Sequence, residues 1–277
     1  MSSPIAREAD ASLPGSASGH PAIRLDHVSI HYRREINRPT SLKEYVARRV
    51  RGRIPNEMFQ AIEDVSLDVR EGEVFGVVGR NGAGKSTLLR AVAGIIRPTG
   101  GRLRVWGRVT ALLGVGAGFH PELTGRENVY LYSSLLGMTR GDTSVMFDDI
   151  LEFSELKDFI DSPLRVYSTG MIARLGFAVA MARPPEIMLV DEVLGVGDEM
   201  FREKCRIRFN AFVAGGATIL LVSHNLEEVG NLCVRAVWLH RGRVAEIGDA
   251  GPVVEAYRLF QQEKSVKANR KREAGRV

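Results

Sequence analysis

The sequence predicts an α/β fold organised around a parallel sheet, and three observations carry that expectation. Three short apolar runs rich in β-branched residues, VFGVVG at 74–79, IMLVDE at 187–192 and ATILLVSH at 217–224, have the length and composition of strands buried on both faces. A mostly helical stretch from about 124 to 182 separates the first run from the second, so strands and helices alternate. The glycine-rich GRNGAGKST at 79–87 joins the end of a strand directly to the helix-forming LLRAVAG.

In chain order, residues 1–22 are small, polar and broken by proline, and read as a disordered leader. The main domain is expected over 23–258. It opens with two β-like runs, AIRLDHVSIHY at 22–32 and AIEDVSLDV at 61–69, separated by an insertion at about 33–58. Within that insertion Ser41 and Glu44 have capping-box spacing, and Leu42, Tyr45, Val46 and Val50 share one face of the predicted amphipathic helix. A helical subdomain is expected at about 120–182. Near the end AVWLHRGRVAEIGD at 236–249 reads as a hairpin turning at Arg241-Gly242, followed by the short helix PVVEAYRLF and a flexible basic tail at 259–277.

Composition narrows the function classes. With 277 residues and 44% hydrophobic content the chain can bury a sizeable core. It has no run of eighteen apolar residues and no secretory apolar segment, so it is expected on the cytoplasmic side. Cys205 and Cys233 lack metal-ligand or CxxC spacing and read as buried thiols of a reducing compartment. The net charge of +5 is concentrated at 43–53 and in the last sixteen residues, where six basic residues face two acids. Solvation is the commonest role of such clusters.

GRNGAGKST fits the phosphate-loop pattern G-x-x-x-x-G-K-[ST], in the strand-to-helix setting that the chemistry requires. Gly79, Gly82 and Gly84, with Asn81 and Ala83 between them, let backbone N–H groups curl around phosphates at a helix N-terminus. Lys85 then reaches the β- and γ-phosphates of ATP, Ser86 ligates Mg²⁺, and Thr87 supports the α-phosphate. About a hundred residues later, IMLVDE carries Asp191 and Glu192 to the carboxyl end of a strand, where open α/β sheets bind ligands. Asp191 suits Mg²⁺ and Glu192 the attacking water.

At this point residues 23–258 resemble the ABC-transporter ATPases. YSTGM at 167–171 is similar to the LSGGQ signature, with Ser168 and Gly170 matching, Thr169 for its first glycine and Met171 for its glutamine. The resemblance implies a phosphate-loop NTPase of RecA-like core, with an N-terminal antiparallel β-subdomain and an inserted helical subdomain. It also implies a homodimer in which Ser168 and Gly170 bind the γ-phosphate held by the opposite subunit. Asp198 in GVGD resembles the D-loop aspartate that crosses that interface, and His224 the switch histidine on the γ-phosphate. Tyr32 aligns with the aromatic residue that stacks on adenine, with Phe59 as the competing candidate. The family's Q-loop glutamine should fall near Gly114 to Gly116, where LLGVGAGFHPELTGREN offers neither glutamine nor carboxylate.

GAGFHPELTGREN, YSTGM, DEVLGVGD and the insertion RPTSLKEYVARRV together resemble the ATPases of bacterial polysaccharide exporters, which move O-antigen, capsule or teichoic acid. That likeness implies an integral-membrane permease as partner and a place at the cytoplasmic face of the plasma membrane. The basic segment 41–53 is expected either on the membrane-facing side, since the basic fold does not need an insertion there and its cations suit an anionic surface, or as a surface helix packed on its own β-subdomain. The alternatives are an exporter of lipids, drugs or small molecules and a soluble ABC ATPase acting on nucleic acid. Nucleic acid is not an expected partner, because the tandem cassettes or long coiled coil of that class are missing.

Overall fold

The computed structural model describes residues 20–35, 56–112, 114, 116–191 and 197–274. The leader up to residue 19, positions 36–55 of the insertion, and Glu192 lie outside the described residues.

Two sheets form the framework. In the first, β1 (Pro21–Glu35) pairs antiparallel with β2 (Asn56–Arg70) on one side and β4 (Gly100–Val105) on the other. The second contains β3 (Val74–Val78), β5 (Val109–Leu112), β6 (Ile187–Asp191), β7 (Thr218–Val222), β8 (Arg235–His240) and β9 (Arg243–Asp249), in the order β5-β6-β7-β3-β8-β9. All neighbours in it are parallel except β8 and β9, the hairpin expected at Arg241-Gly242. Both turn residues are left-handed, with φ of 53° and 80°, the conformation a two-residue hairpin of primed type requires.

The three apolar runs are buried on both faces, as strands of a parallel sheet must be when both faces are covered. Phe75, Val77, Ile187, Leu189, Leu220 and Val222 point into a core shared with the antiparallel sheet and with α1 (Lys85–Val92). Val74, Val78, Met188, Val190, Ile219 and Leu221 point the other way, into a core shared with the helices. Those helices are α2 (Gly125–Leu135), α3 (Arg140–Ser154), α4 (Thr169–Ala180), α5 (Glu199–Ala214), α6 (Leu226–Leu232) and α7 (Ala250–Ala274).

Two features depart from the sequence reading. GGRLRV and VTAL form β4 and β5, which the reading omitted because each is short and β4 alternates arginine with only Leu103 and Val105 as buried residues. The helix expected to end near Phe260 runs on to Ala274 as α7, so the expected flexible tail is helical over most of its length. The segment after Phe260 has strong helix formers and neither glycine nor proline before Gly275, so nothing stops the helix once Val253, Val254 and Tyr257 have packed.

The expected helical subdomain is α2, α3 and α4 with two 3-10 turns, Lys157–Phe159 and Leu164–Val166. Its entry is organised by Asn128, which is fully buried. The Asn128 amide donates to the carbonyls of His120 (3.0 Å), Leu123 (3.0 Å) and Thr124 (2.9 Å), and its oxygen accepts from the His120 N–H at 2.7 Å. Thr124 and Glu127 close a reciprocal capping box at the start of α2. Asn128→Ala leaves these partly buried backbone groups without their partner and opens a small cavity, so we expect a loss of about 1–3 kcal/mol in unfolding free energy. Urea denaturation reads it as a lower midpoint at unchanged slope; an unshifted midpoint would contradict the role given to Asn128.

Candidate active site

The carboxyl ends of β3, β6 and β7, adjacent in the parallel sheet, converge on one cleft of about 530 Å³. From β3 the chain enters the 79–87 loop and then α1. Gly84 sits at the N-cap of α1 with φ 107° and no side-chain cap, so the first N–H groups of the helix are left for a ligand. A Cβ at Gly84 would lie 2.6 Å from the Ala61 carbonyl oxygen, so both backbone angle and space demand glycine there. Gly82 differs: nothing lies within 4 Å of an added Cβ, and its φ of 78° alone explains the residue.

The loop is braced from behind. The Gly242 N–H in the β8–β9 turn donates to the Ala83 carbonyl at 3.0 Å, and the Glu63 N–H of β2 donates to the Gly242 carbonyl at 2.7 Å. A Cβ at Gly79 would lie 2.5 Å from the Leu239 carbonyl oxygen, which fixes how closely the loop lies on β8. Lys85 is buried, with its ammonium donating to the carbonyls of Gly79 (2.7 Å) and Arg80 (3.3 Å). Asn81, Gly82, Gly84, Lys85, Ser86 and Thr87 line the cleft, while Ala83 is buried behind it.

Asp191 and His224 also line the cleft. Asp191 ends β6, and His224 follows β7 in a turn that two residues fix. Ser223 donates its hydroxyl to Glu228 at 2.6 Å and accepts the Asn225 N–H at 3.1 Å, while Asn225 caps α6 by accepting from the N–H groups of Glu227 and Glu228. The sequence reading passed over Ser223 and Asn225, although Asn225 before LEEVGNL carries a cap signal. Of the two aromatic candidates, half-exposed Phe59 lines the cleft. Tyr32, placed opposite Phe59 in the β1–β2 register, is partly buried against the β-subdomain core and is not among the residues lining the cleft.

Ser168, Gly170 and Asp198 lie outside this cleft. Ser168 caps α4, its hydroxyl accepting from the Met171 N–H at 3.1 Å. Gly170 is exposed, and a Cβ there would come no closer than 3.7 Å to the Ser168 hydroxyl. Asp198 caps α5 through one carboxylate oxygen, which accepts from the Phe201 N–H at 2.9 Å, while the other pairs with Arg174. The Phe201 N–H and then Arg174 hold its carboxyl below the usual aspartate range.

The profile of the family described as ABC transporter matches residues 62–195. An O-antigen export system ATP-binding protein of Klebsiella pneumoniae is 45% identical, over 86% of this chain and 98% of that protein. A teichoic acids export ATP-binding protein of Listeria innocua is 41% identical, over 74% of this chain and 61% of its own length. Among solved structures, a dimeric ATP-binding cassette in a post-hydrolysis state bound to ADP and Pi matches with a TM-score of 0.64 at 21% identity, covering 82% of this chain and 98% of that one. That likeness speaks to the fold alone, and the α/β cassette architecture agrees. With one relative this similar along almost its whole length and a phosphate loop in its strand-to-helix setting, the chain belongs to the ABC transporter family, among its ATP-binding proteins.

Proposed function

We propose that this chain is the ATP-hydrolysing subunit of an exporter that moves a lipid-linked polysaccharide of O-antigen, capsule or teichoic acid type through a separate membrane permease. The observation that carries the nucleotide half is the cleft itself, where an uncapped helix N-terminus, the Lys85 ammonium, Asp191 and His224 meet. The export half rests on relatives whose names are those of O-antigen and teichoic acid export proteins.

In this reading the N–H groups of α1 and Lys85 hold the β- and γ-phosphates and exchange the Gly79 and Arg80 carbonyls for phosphate oxygens. The Ser86 hydroxyl and the Asp191 carboxylate fit Mg²⁺, a hard cation that takes oxygen donors from one or two protein groups and completes its shell with phosphate and water. Bound there, the ion neutralises charge on the phosphates. Glu192, next along the chain from Asp191, takes the proton of the attacking water, and His224 contacts the γ-phosphate. Phe59 stacks on adenine.

One chain carries one phosphate loop and one signature motif, and its signature residues lie outside its own cleft. A homodimer in which Ser168 and Gly170 close the partner's site resolves this. Gly170 is compatible with it: the residue is exposed and its own chain leaves room there. The assembly sits at the cytoplasmic face of the plasma membrane through the permease, and among the described residues no helix is long and apolar enough to cross a membrane.

Three experiments test this. Glu192→Gln should bind MgATP normally yet turn over roughly 10²–10⁴-fold more slowly, and cells relying on it should lose surface glycan and retain the lipid-linked polymer inside. Parental turnover would remove Glu192 as the base, and intact surface glycan in cells lacking the protein would overturn the cargo. Phe59→Ala should weaken nucleotide binding about tenfold, within the roughly 1–3 kcal/mol of a base stack, and Tyr32→Ala less; the opposite order would return the role to Tyr32. Mixing Lys85→Ala with Gly170→Asp chains, each inactive alone, should restore partial ATPase activity from the one complete composite site per heterodimer. A mixture as inactive as its parts contradicts action in trans.

A further inference from the structure

Arg174 lies one turn beyond the signature motif, on α4, and its side chain is only 20% exposed. Its guanidinium reaches three partners, one at the end of α3 and two at the start of α5. One nitrogen donates to Glu155 at 3.0 Å, a second pairs with Asp198, and the plane lies over the Phe201 ring at 5.1 Å. Glu155 ends α3 in a left-handed conformation with φ 59°, unusual for a residue with a side chain, and its other carboxylate oxygen pairs with Lys204 of α5. Beneath these charges Phe201 of α5 packs edge-on against Phe153 of α3 and Phe177 of α4, at centroid distances of 5.5 and 6.2 Å.

We propose that Arg174 is a positioning residue for ATP hydrolysis: it locks the Asp198 end of α5 onto the signature helix α4, so that both elements meet the partner subunit as one rigid unit.

The geometry favours positioning over a plain brace. Asp198 already caps α5 with one oxygen, so its helix does not need Arg174 to form. What the second oxygen adds is a fixed offset between two helix N-termini: that of α4, which opens at Ser168, and that of α5, which opens at Asp198. An arginine alone serves, since its planar fork engages two carboxylates at once while lying on an aromatic ring, and a lysine ammonium lacks that shape. The apolar packing of the three phenylalanines supplies cohesion, and the ion pairs, partly exposed, supply direction.

The inference rests on the composite-site reading above, and the test separates the two. ATP turnover and affinity for a fluorescent ATP analogue are measured for the parent, Arg174→Ala, Arg174→Lys, Asp198→Asn and the Arg174→Ala/Asp198→Asn double variant. Asparagine caps a helix about as well as aspartate, so Asp198→Asn removes the ion pair and spares α5. We expect kcat to fall about tenfold in Arg174→Ala and in Asp198→Asn, with analogue affinity unchanged, partial recovery in Arg174→Lys, and a double variant no slower than the slower single one. Losses that multiply in the double variant, or a parental kcat in Asp198→Asn, which stands even if Arg174→Ala fails to fold, would overturn the proposal. Turnover of the parent is also followed on dilution: specific activity independent of concentration brings down the composite site itself, whereas activity lost on dilution with parental rates in the variants brings down the role of Arg174 alone.

Discussion

Everything in the cleft depends on one packing constraint: the phosphate loop must hold its backbone N–H groups open to an anion with no side chain in the way. Such a loop cannot stabilise itself, because left-handed glycines cost backbone entropy and an uncapped helix N-terminus has unsatisfied donors. The stabilisation comes from neighbours. The β8–β9 turn and the middle of β2 hold the Ala83 carbonyl side of the loop through the Gly242 and Glu63 N–H groups, and the Leu239 and Ala61 carbonyls press so closely that Gly79 and Gly84 admit no Cβ. Lys85 fills the remaining gap with its own charge on two carbonyls. The hairpin, remote in sequence, is therefore part of the phosphate site in space.

The parallel sheet follows from the same demand. Presenting β3, β6 and β7 side by side brings the loop, Asp191 and His224 together at their carboxyl ends, and parallel strands require long crossovers. One crossover houses the helical subdomain, and its helices cover the second face of the sheet. The signature motif opens the last helix of that subdomain and lies outside the chain's own cleft.

Much of this was legible in the sequence because its signals are local. VFGVVG, IMLVDE and ATILLVSH declare themselves by burial on both faces, and the phosphate loop by spacing. What escaped depended on pairing between distant segments. β4 and β5 exist because β1 and β6 offer them edges, and neither GGRLRV nor VTAL has an apolar pattern that would form a strand alone. Which of Tyr32 and Phe59, directly opposite in the β1–β2 pair, lines the cleft is likewise a matter of pairing, and spacing cannot decide it. The continuation of α7 to Ala274 was readable from composition, but basic charge outweighed helix propensity in the reading. Glu192 lies outside the described residues, so its role rests on its place beside Asp191.

Where the family resemblance calls for a glutamine, the described residues are left-handed glycines. Gly114, Gly116 and Gly118 are all left-handed, with φ of 69°, 82° and 104°, so the chain after β5 turns sharply before it reaches the helical subdomain. Gly116 lies against Phe119 and Ile172, where an added Cβ would come within 3.3 and 3.4 Å, and Phe119 packs edge-on against Tyr132 of α2 at 5.1 Å. Burial raises the Tyr132 phenol, while a hydrogen bond with the Gly116 backbone pulls the other way, so this buried ring is held at its polar end too. Asn128 then fixes 120–124 by four hydrogen bonds. Gly116 thus sits directly against Ile172 of α4, the helix that Ser168 caps, with little room for a side chain, and close-packed groups pass on displacement without a hydrogen bond having to break.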